Sequence, residues 1–447
     1  MANKIEDILI TDLDIFARGI AHKNGRTFFI ENALPDEICK AAITKENKNF
    51  SQGYSTQIQN QSKNRVNPLC PHFNICGGCD TQHICYNQTL EFKKEQIRRA
   101  FKKISNEDIP LNFEIVPSEK EYFYRNKISL AIGRIDNKNT LCMYQKNSHK
   151  LVKIDSCVIC DEKFKILIDI FNQFLEKTSF YAYNKQSKTG ELKNLVARII
   201  DNKILVTICV KKRIKLDVKE LFEELSKHFN NVGINENINK NDNEILSNNF
   251  VHLAGIKEIK FEDMKITNSI TNASFLQVNN DISQKLYNYV LNNVSNIVVN
   301  AYSGAGLLTC LIAQKLNENL QNSAKKYVFG IEINKEASFL ADKLKEKYGL
   351  ENVKNIQGDA NDVLKNLNLK NFTLIVDPPR FGLDDKMIET ICSAKPQKIV
   401  YVSCGKISLC KNYNQLKSLY EIAEIKAFDM FPQTVNCETV LILKLKK

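Results

Sequence analysis

Thiols dominate the chemistry this sequence could carry. Cys70, Cys76, Cys79 and Cys85 crowd into sixteen residues, and Cys157 and Cys160 follow. The spacing Cys70-x5-Cys76-x2-Cys79 puts three of them on one tight loop, where Gly77 and Gly78 would supply turn freedom. Four thiolates suit a structural zinc or an iron–sulfur cluster. Closeness in sequence offers Cys85 as the fourth ligand of a compact zinc site. His72 and His83, in the same stretch, read as surface residues.

A different thiol, Cys404, ends the apolar stretch KIVYVS and precedes Gly405, so its sulfur should emerge at a ligand-binding sheet edge. Cys310, Cys392 and Cys410 read instead as core thiols. Upstream, NAYSGAGLLTCLIAQKL sets Gly304 and Gly306 where a strand turns into a helix, so that backbone amides can approach a ligand. The next strand ends in Glu332, 26 residues beyond Gly306, where a carboxylate can take both hydroxyls of a ribose. Later strands end in Gly358-Asp359 and in Asp377-Pro378-Pro379-Arg380. Against a nicotinamide dinucleotide, Thr309 stands where the third glycine of that fingerprint belongs.

A nucleophilic thiol at such an edge has a specific use. Uracil C5 is too weakly nucleophilic to attack a sulfonium methyl unaided. A thiolate adding to C6 makes C5 enolate-like, and a base must later remove the C5 proton so that the thiol can leave. Free cysteine is only slightly ionised near neutral pH, so the site must help Cys404. Glu438, in AFDMFPQTVNCETV before the final apolar strand, is the candidate base.

The elements that must hold these groups form a multidomain α/β chain. Residues 1–58 read as short strands with turns at Asn24-Gly25 and Pro35-Asp36, a small β-barrel followed by an exposed polar connector over 46–68. Residues 59–266 carry the cysteine loop, a helix over 88–104 with basic residues interleaved, and a mixed α+β domain that includes FEIVPSE. Residues 267–447 alternate strands with helical stretches, the pattern of a doubly wound, Rossmann-like parallel sheet. The 447 residues carry a net charge of +12, which permits a polyanionic partner. No apolar run approaches the ~20 residues of a membrane span, and reduced thiols fit a cytoplasmic protein.

FLQVNN (275–280), NAYSGAGLLT, GIEINKEA, DPPRFGL, YVSC and MFPQTVNCETV occur in the order found in RNA 5-methyluridine methyltransferases. The chain resembles the bacterial ribosomal-RNA branch of that family over essentially its whole length. The resemblance implies an N-terminal TRAM domain that binds RNA, a C-terminal class I methyltransferase domain, and S-adenosylmethionine as methyl donor. Gln277 would contact cofactor or uracil, Tyr302 and Glu332 would hold the cofactor, and Asp377 would lie between cofactor and base. Cys404 would be the nucleophile and Glu438 the proton acceptor. It also implies a 4Fe–4S cluster on Cys70, Cys76, Cys79 and Cys157, with 23S ribosomal RNA as the substrate of a monomeric enzyme. Two positions depart from the family pattern: Leu307 replaces a usual Asn, and Gln433-Thr434-Val435-Asn436 replaces a usual His-Thr-Gly-His before Glu438.

Three other readings compete. A transfer-RNA uracil-C5 enzyme shares most of the motifs, and a non-catalytic RNA-binding assembly factor could retain the fold. A methyltransferase of other specificity is disfavoured because Arg380 follows Asp-Pro-Pro where amine methylation wants an aromatic, and because no second cysteine accompanies that motif. A module that binds folded RNA would explain basic segments such as EFKKEQIRRAFKK and the aromatic–basic run Phe123–Lys127.

Overall fold

The computed structural model describes residues 4–110, 112–272, 274–318 and 326–447; residues 1–3 of the expected barrel therefore lie outside it. The N-terminal strands Lys4–Leu9, Asp12–Leu13, Gly19–Lys23, Arg26–Glu31, Ile38–Glu46 and Phe50–Asn60 form one six-stranded sheet around Ile8, Ile10, Phe28, Ile30 and Ile43. The last strand occupies much of the stretch expected to be an exposed connector. Its inward positions are Ser51 and Gly53, and a Cβ on Gly53 would stand 2.3 Å from the Ala42 carbonyl oxygen. Backbone pairing on both sides holds this strand, so no apolar alternation announces it.

A second, seven-stranded sheet runs in the order Leu151–Lys153, Lys138–Tyr144, Lys127–Ile135, Leu192–Ile200, Lys203–Val210, Asn231–Ile238 and Phe250–Gly255. The helices Phe164–Lys177 and Lys219–Ser226 bury Leu167, Ile168, Phe171, Leu221 and Leu225 in its core. A short ribbon of Ile259–Asp263 and Ile266–Ile270 leads to the third sheet.

That third sheet has eight strands. Five run parallel in the order Val353–Gln357, Tyr327–Glu332, Ile297–Ala301, Thr373–Val376 and Lys398–Ser403. The expected doubly wound core is there, but the final strand, Glu438–Leu445, is antiparallel to Lys398–Ser403 and to a further strand, Tyr420–Phe428. The eighth strand is Glu114–Val116, which pairs with Tyr420–Phe428 and not with the second sheet, where FEIVPSE was expected. The helix Tyr86–Ser105 goes with it. Leu90, Ile97 and Phe101 pack in one cluster with Tyr401, Leu409, Tyr413 and Leu416, so this segment belongs to the third sheet's core.

A buried ion pair helps fix that helix. Lys93, which reads in sequence as part of a basic face, is fully buried with its Nζ 2.5 Å from Asp429 Oδ1 and 3.2 Å from the Phe431 carbonyl. Tyr86 Oη donates to Asp429 Oδ2 at 2.8 Å and accepts from the Ser118 amide. The neighbouring cations are also engaged within the molecule: Lys94 with Glu91, Arg98 with Glu95, Arg99 with Glu95 and Asp12, Lys102 with Asp108. Within EFKKEQIRRAFKK, then, Lys93 belongs to the core, and Lys94, Arg98, Arg99 and Lys102 are ion-paired to acidic neighbours.

Removing one member of a buried pair strands the other charge, at about 3–5 kcal/mol. Lys93→Met should therefore lose about that much stability in urea unfolding. Lys93→Met/Asp429→Leu, which removes both charges, should recover most of it. A single variant as stable as wild type would show that the pair carries no such constraint.

Candidate active site

The candidate side chains collect where the parallel strands end. After Ile297–Ala301 the chain turns through Tyr302, Gly304 and Gly306, all at positive φ (63°, 55° and 85°), into the helix Leu307–Glu318. At Gly306 the requirement is close approach, because a Cβ would stand 2.6 Å from that of Ala341 on the neighbouring helix. At Gly304 a Cβ would meet nothing within 4 Å. The space above the turn is open, as a bound nucleoside requires. Glu332 braces the turn: its Oε2 accepts the Gly304 amide at 2.9 Å and its Oε1 the Asn334 amide at 2.7 Å. Leu307 points into the core, so it offers no polar contact. Asp359 caps the helix Ala360–Leu367.

Cys404 and Glu438 are neighbours by ladder register. Ser403 pairs with Thr439 across Lys398–Ser403 and Glu438–Leu445, so the residues just outside that pair, Cys404 and Glu438, meet at the sheet edge. Glu438 is buried, and its Oε2 has no hydrogen-bond partner within the protein. Burial pushes Asp377 up to about 7 and Glu438 well above the usual carboxylate range, and the Asp377 charge raises Glu438 further. Cys404 is half-buried and pushed up to about 11, by burial first and then by Glu438 and Asp377, with Arg380 opposing. Tyr287, a residue the sequence gave no reason to single out, feels both Asp377 and Glu438, and its phenol is raised by burial first. Cys310 and Cys410 are core thiols as expected, whereas Cys392 is only half-buried.

Gln277 is buried and pinned through its backbone. Asn126 Nδ2 donates to the Gln277 carbonyl at 2.9 Å and to Asn280 Oδ1 at 3.1 Å, and the buried Arg198 donates to Asn126 Oδ1. Tyr124 Oη donates to the Pro432 carbonyl. Within the run Phe123–Lys127, Tyr124 and Asn126 are therefore scaffold, not RNA contacts.

The loop before Glu438 is clamped despite its departure from the family pattern. The Gln433 carbonyl accepts the amides of Asp80 (2.9 Å) and Thr81 (3.2 Å), and Asp80 Oδ2 accepts the Val435 amide (3.3 Å). Lys406 Nζ reaches the Val435 carbonyl, and Arg380 donates to Asn436 Oδ1 at 2.9 Å.

Cys70, Cys76, Cys79, Cys157 and Cys160 line a cavity of about 180 Å³. Cys85 is not among them; its Sγ faces Asn64 and its backbone caps the helix Tyr86–Ser105. Gln82 also lines the cavity, its Oε1 accepting the Cys70 amide and its side chain facing the Cys79 sulfur. Among the described residues, no three His, Cys, Asp or Glu side chains are arranged to hold one metal ion. Gly77 serves close approach instead of turn freedom: its φ is ordinary, and a Cβ would stand 3.2 Å from the Tyr144 carbonyl oxygen. His83 is not a surface residue but is buried beside Phe73, with neither ring nitrogen bonded, and burial pushes it down to about 3. His72 lies nearer the surface and pairs with Asp155.

A family profile described as tRNA (Uracil-5-)-methyltransferase matches residues 85–446, and one described as TRAM domain matches residues 1–54. The chain belongs to the tRNA (Uracil-5-)-methyltransferase family. An RNA methyltransferase of Clostridium acetobutylicum, itself uncharacterised, is 31% identical over 99% of this chain and 97% of its own length. One of Oceanobacillus iheyensis is 32% identical over 99% and 97%. The crystal structure of the Pyrococcus abyssi tRNA (uracil-54, C5)-methyltransferase with S-adenosyl-L-homocysteine superposes with a TM-score of 0.76, covering 98% of this chain and 99% of that one. At 24% identity that likeness is one of fold. As a uracil-5-methyltransferase family member, the protein is an S-adenosylmethionine-dependent enzyme acting on RNA, and the open turn at Gly304 fits that cofactor.

The raised carboxyls of this uracil-5-methyltransferase site have a stability consequence. A folded-state acid above its unfolded value of about 4 destabilises the fold as pH rises through that window and beyond. Glu438→Gln should therefore be more stable than wild type at pH 7.5. The difference should vanish toward pH 4. Thermal melts at both pH values check this, and no gain at pH 7.5 would mean that Glu438 is not held in a raised state.

Proposed function

We propose that the enzyme methylates uracil C5 in 23S ribosomal RNA, with Cys404 as nucleophile and Glu438 as base. The observation that carries this reading is the ladder register that sets Cys404 beside a buried, unpartnered Glu438, with Asp377 close to both. Bound S-adenosylmethionine supplies the methyl group as an electrophilic sulfonium. Cys404, as its thiolate, adds through Sγ to C6, and the C5=C6 electrons shift toward C5 and the C4 carbonyl. C5 then takes the methyl group, and Glu438 removes the C5 proton. Those electrons restore C5=C6 and expel the Cys404 thiolate. Arg380, which opposes the rise of the Cys404 thiol, is the cation that favours its ionised form.

Asp377, Tyr302, Glu332 and Gln277 orient cofactor and base in this reading. Glu438 acts as base from its carboxylate form, and burial together with the Asp377 charge raises the affinity of that carboxylate for the proton it takes.

For the cysteine cavity we propose a 4Fe–4S cluster on Cys70, Cys76, Cys79 and Cys157. The thiols that line this one cavity, with the Gln82 amide beside Cys79, support it. Methyl transfer moves no electron, so the group's role is to fix the loop that clamps Gln433 and Val435. The ribosomal substrate rests on that cysteine set, which marks the ribosomal-RNA branch of the family. We take the enzyme to work as a cytoplasmic monomer; among the described residues no helix is long and apolar enough to cross a membrane.

Three measurements test these assignments. Nucleoside mass spectrometry of 23S and transfer RNA, with and without the enzyme, should show 5-methyluridine gained in 23S; a gain in transfer RNA alone would select the alternative substrate. Glu438→Gln should accumulate a covalent RNA complex, seen as a heat-resistant slow band, since losing a positioned base costs about 10²–10⁴ in rate. Cys404→Ala and the double variant should show no band, and wild-type turnover by Glu438→Gln would place the base elsewhere. Anaerobically purified protein should be brown with roughly four iron per chain. Cys157→Ser should lose the colour and Cys85→Ser keep it, whereas colourless protein with stoichiometric zinc would refute the cluster.

A further inference from the structure

Two cavities adjoin at the mouth of the active site. One, of about 460 Å³, reaches Cys404 and is walled by Phe381, Lys406 and Lys411. The other, of about 480 Å³, lies between the N-terminal sheet, the cysteine loop and the turn after Lys138–Tyr144, and is lined by Arg18, Asp80, Tyr144 and Lys146. Phe16, Arg380, Val435 and Asn436 belong to both walls. Each volume lies within the range of about 300–1,000 Å³ common to small-ligand sites. The proposed catalytic steps use only the first.

The second cavity has the make-up of a site for a nucleobase. Phe16 is half exposed at its rim, and Arg18 stacks against it at 5.3 Å and against Phe29 at 4.9 Å, which stiffens the ring's position. Tyr144 presents a second exposed aromatic. The polar groups at the base of the cavity are held in place: Lys146 bridges Glu31 (3.1 Å) and Asp80 (3.3 Å). Arg380, on the shared wall, is exposed and set where a phosphate joining two occupants would pass. Aromatic stacking with cationic backbone contacts is how proteins hold unpaired nucleotides.

We propose that this second cavity takes the base of a nucleotide flanking the methylated uridine, stacked on Phe16. The inference rests on the uracil-C5 reading and extends it to the substrate: an unpaired RNA segment with two bases turned out of the stack together. Recognition of the flanking base then selects the uridine, because a uridine in the wrong neighbourhood loses the stacking contact.

The test uses RNA fragments spanning the uridine mapped by mass spectrometry, each with one abasic nucleotide at a flanking position. Binding is measured by fluorescence anisotropy with Cys404→Ala, so that no turnover intervenes. At one flanking position, base removal should weaken binding about tenfold, in line with ~1–3 kcal/mol per stacked base. In Phe16→Ala/Cys404→Ala that penalty should disappear, and Phe16→Tyr/Cys404→Ala should restore it. Penalties that are the same with and without Phe16 would overturn the site. A 5-fluorouridine version of the fragment, incubated with wild type and cofactor, separates the two claims. An adduct without a Phe16-dependent penalty leaves the uracil reading standing and removes the cavity's role; no adduct removes the uracil reading and this inference with it.

Discussion

The buried pair of Lys93 and Asp429 constrains everything around the active site. It joins residues 336 positions apart, and neither side chain has exposed surface. In such surroundings a charge tolerates only good geometry, because each missing contact leaves an expensive desolvated group. Tyr86 and the Phe431 carbonyl take up the remaining valences. The helix that follows the cysteine loop therefore has one position relative to the segment that leads into Glu438. An apolar pair of the same volume could match its stability, but it would permit sliding. Lys93 and Asp429 act as a register pin.

The cysteine loop extends that constraint to the other two sheets. Gly77 donates to the Tyr144 carbonyl on the second sheet, Asp80 and Thr81 donate to Gln433, and Lys146 links Asp80 to Glu31 of the N-terminal sheet. One short loop thus touches all three units beside the candidate site. Such a loop has little apolar content of its own to hold it. Several thiols converging in a cavity give a physical reason for its shape, since a bound group would tie the loop to Cys157 on the second unit.

Much of the candidate site's layout was legible because strand ends in an open α/β sheet are also where ligands bind. Gly304, Glu332, Asp377 and Cys404 each stand at the end of an apolar run, and the sheet brings those ends together. Less visible were features that depend on partners far away in sequence. Lys93 has the periodicity of a solvated cation, and only Asp429 makes it a buried one. Ser51 and Gly53 form a strand through backbone pairing and close approach, so its burial pattern carries no hydrophobic signal. Ile115 follows a proline-bounded run that suits either sheet, and packing with the helix Tyr86–Ser105 decides which. Tyr287 acquires its charged neighbours only once helix and strand ends meet.

The site itself works against the fold. Two carboxyls and a thiol occupy one enclosed edge, and burial holds all three toward their uncharged forms. Glu438 stands there as the first residue of a strand, with an oxygen that nothing in the protein bonds. Left to local forces, that end of the strand would fray and let the carboxylate turn out to water, where it is better solvated. The contacts on the preceding loop oppose this: Lys93 on Phe431, Tyr124 on Pro432, Asp80 and Thr81 on Gln433, Lys406 on Val435. All of these reach backbone groups, so they hold the loop whatever its side chains are. That is why Gln433, Thr434, Val435 and Asn436 can differ from the family pattern while Glu438 stays beside Cys404. The position of the carboxylate depends on the path of the chain before it, and the path is fixed from outside the loop.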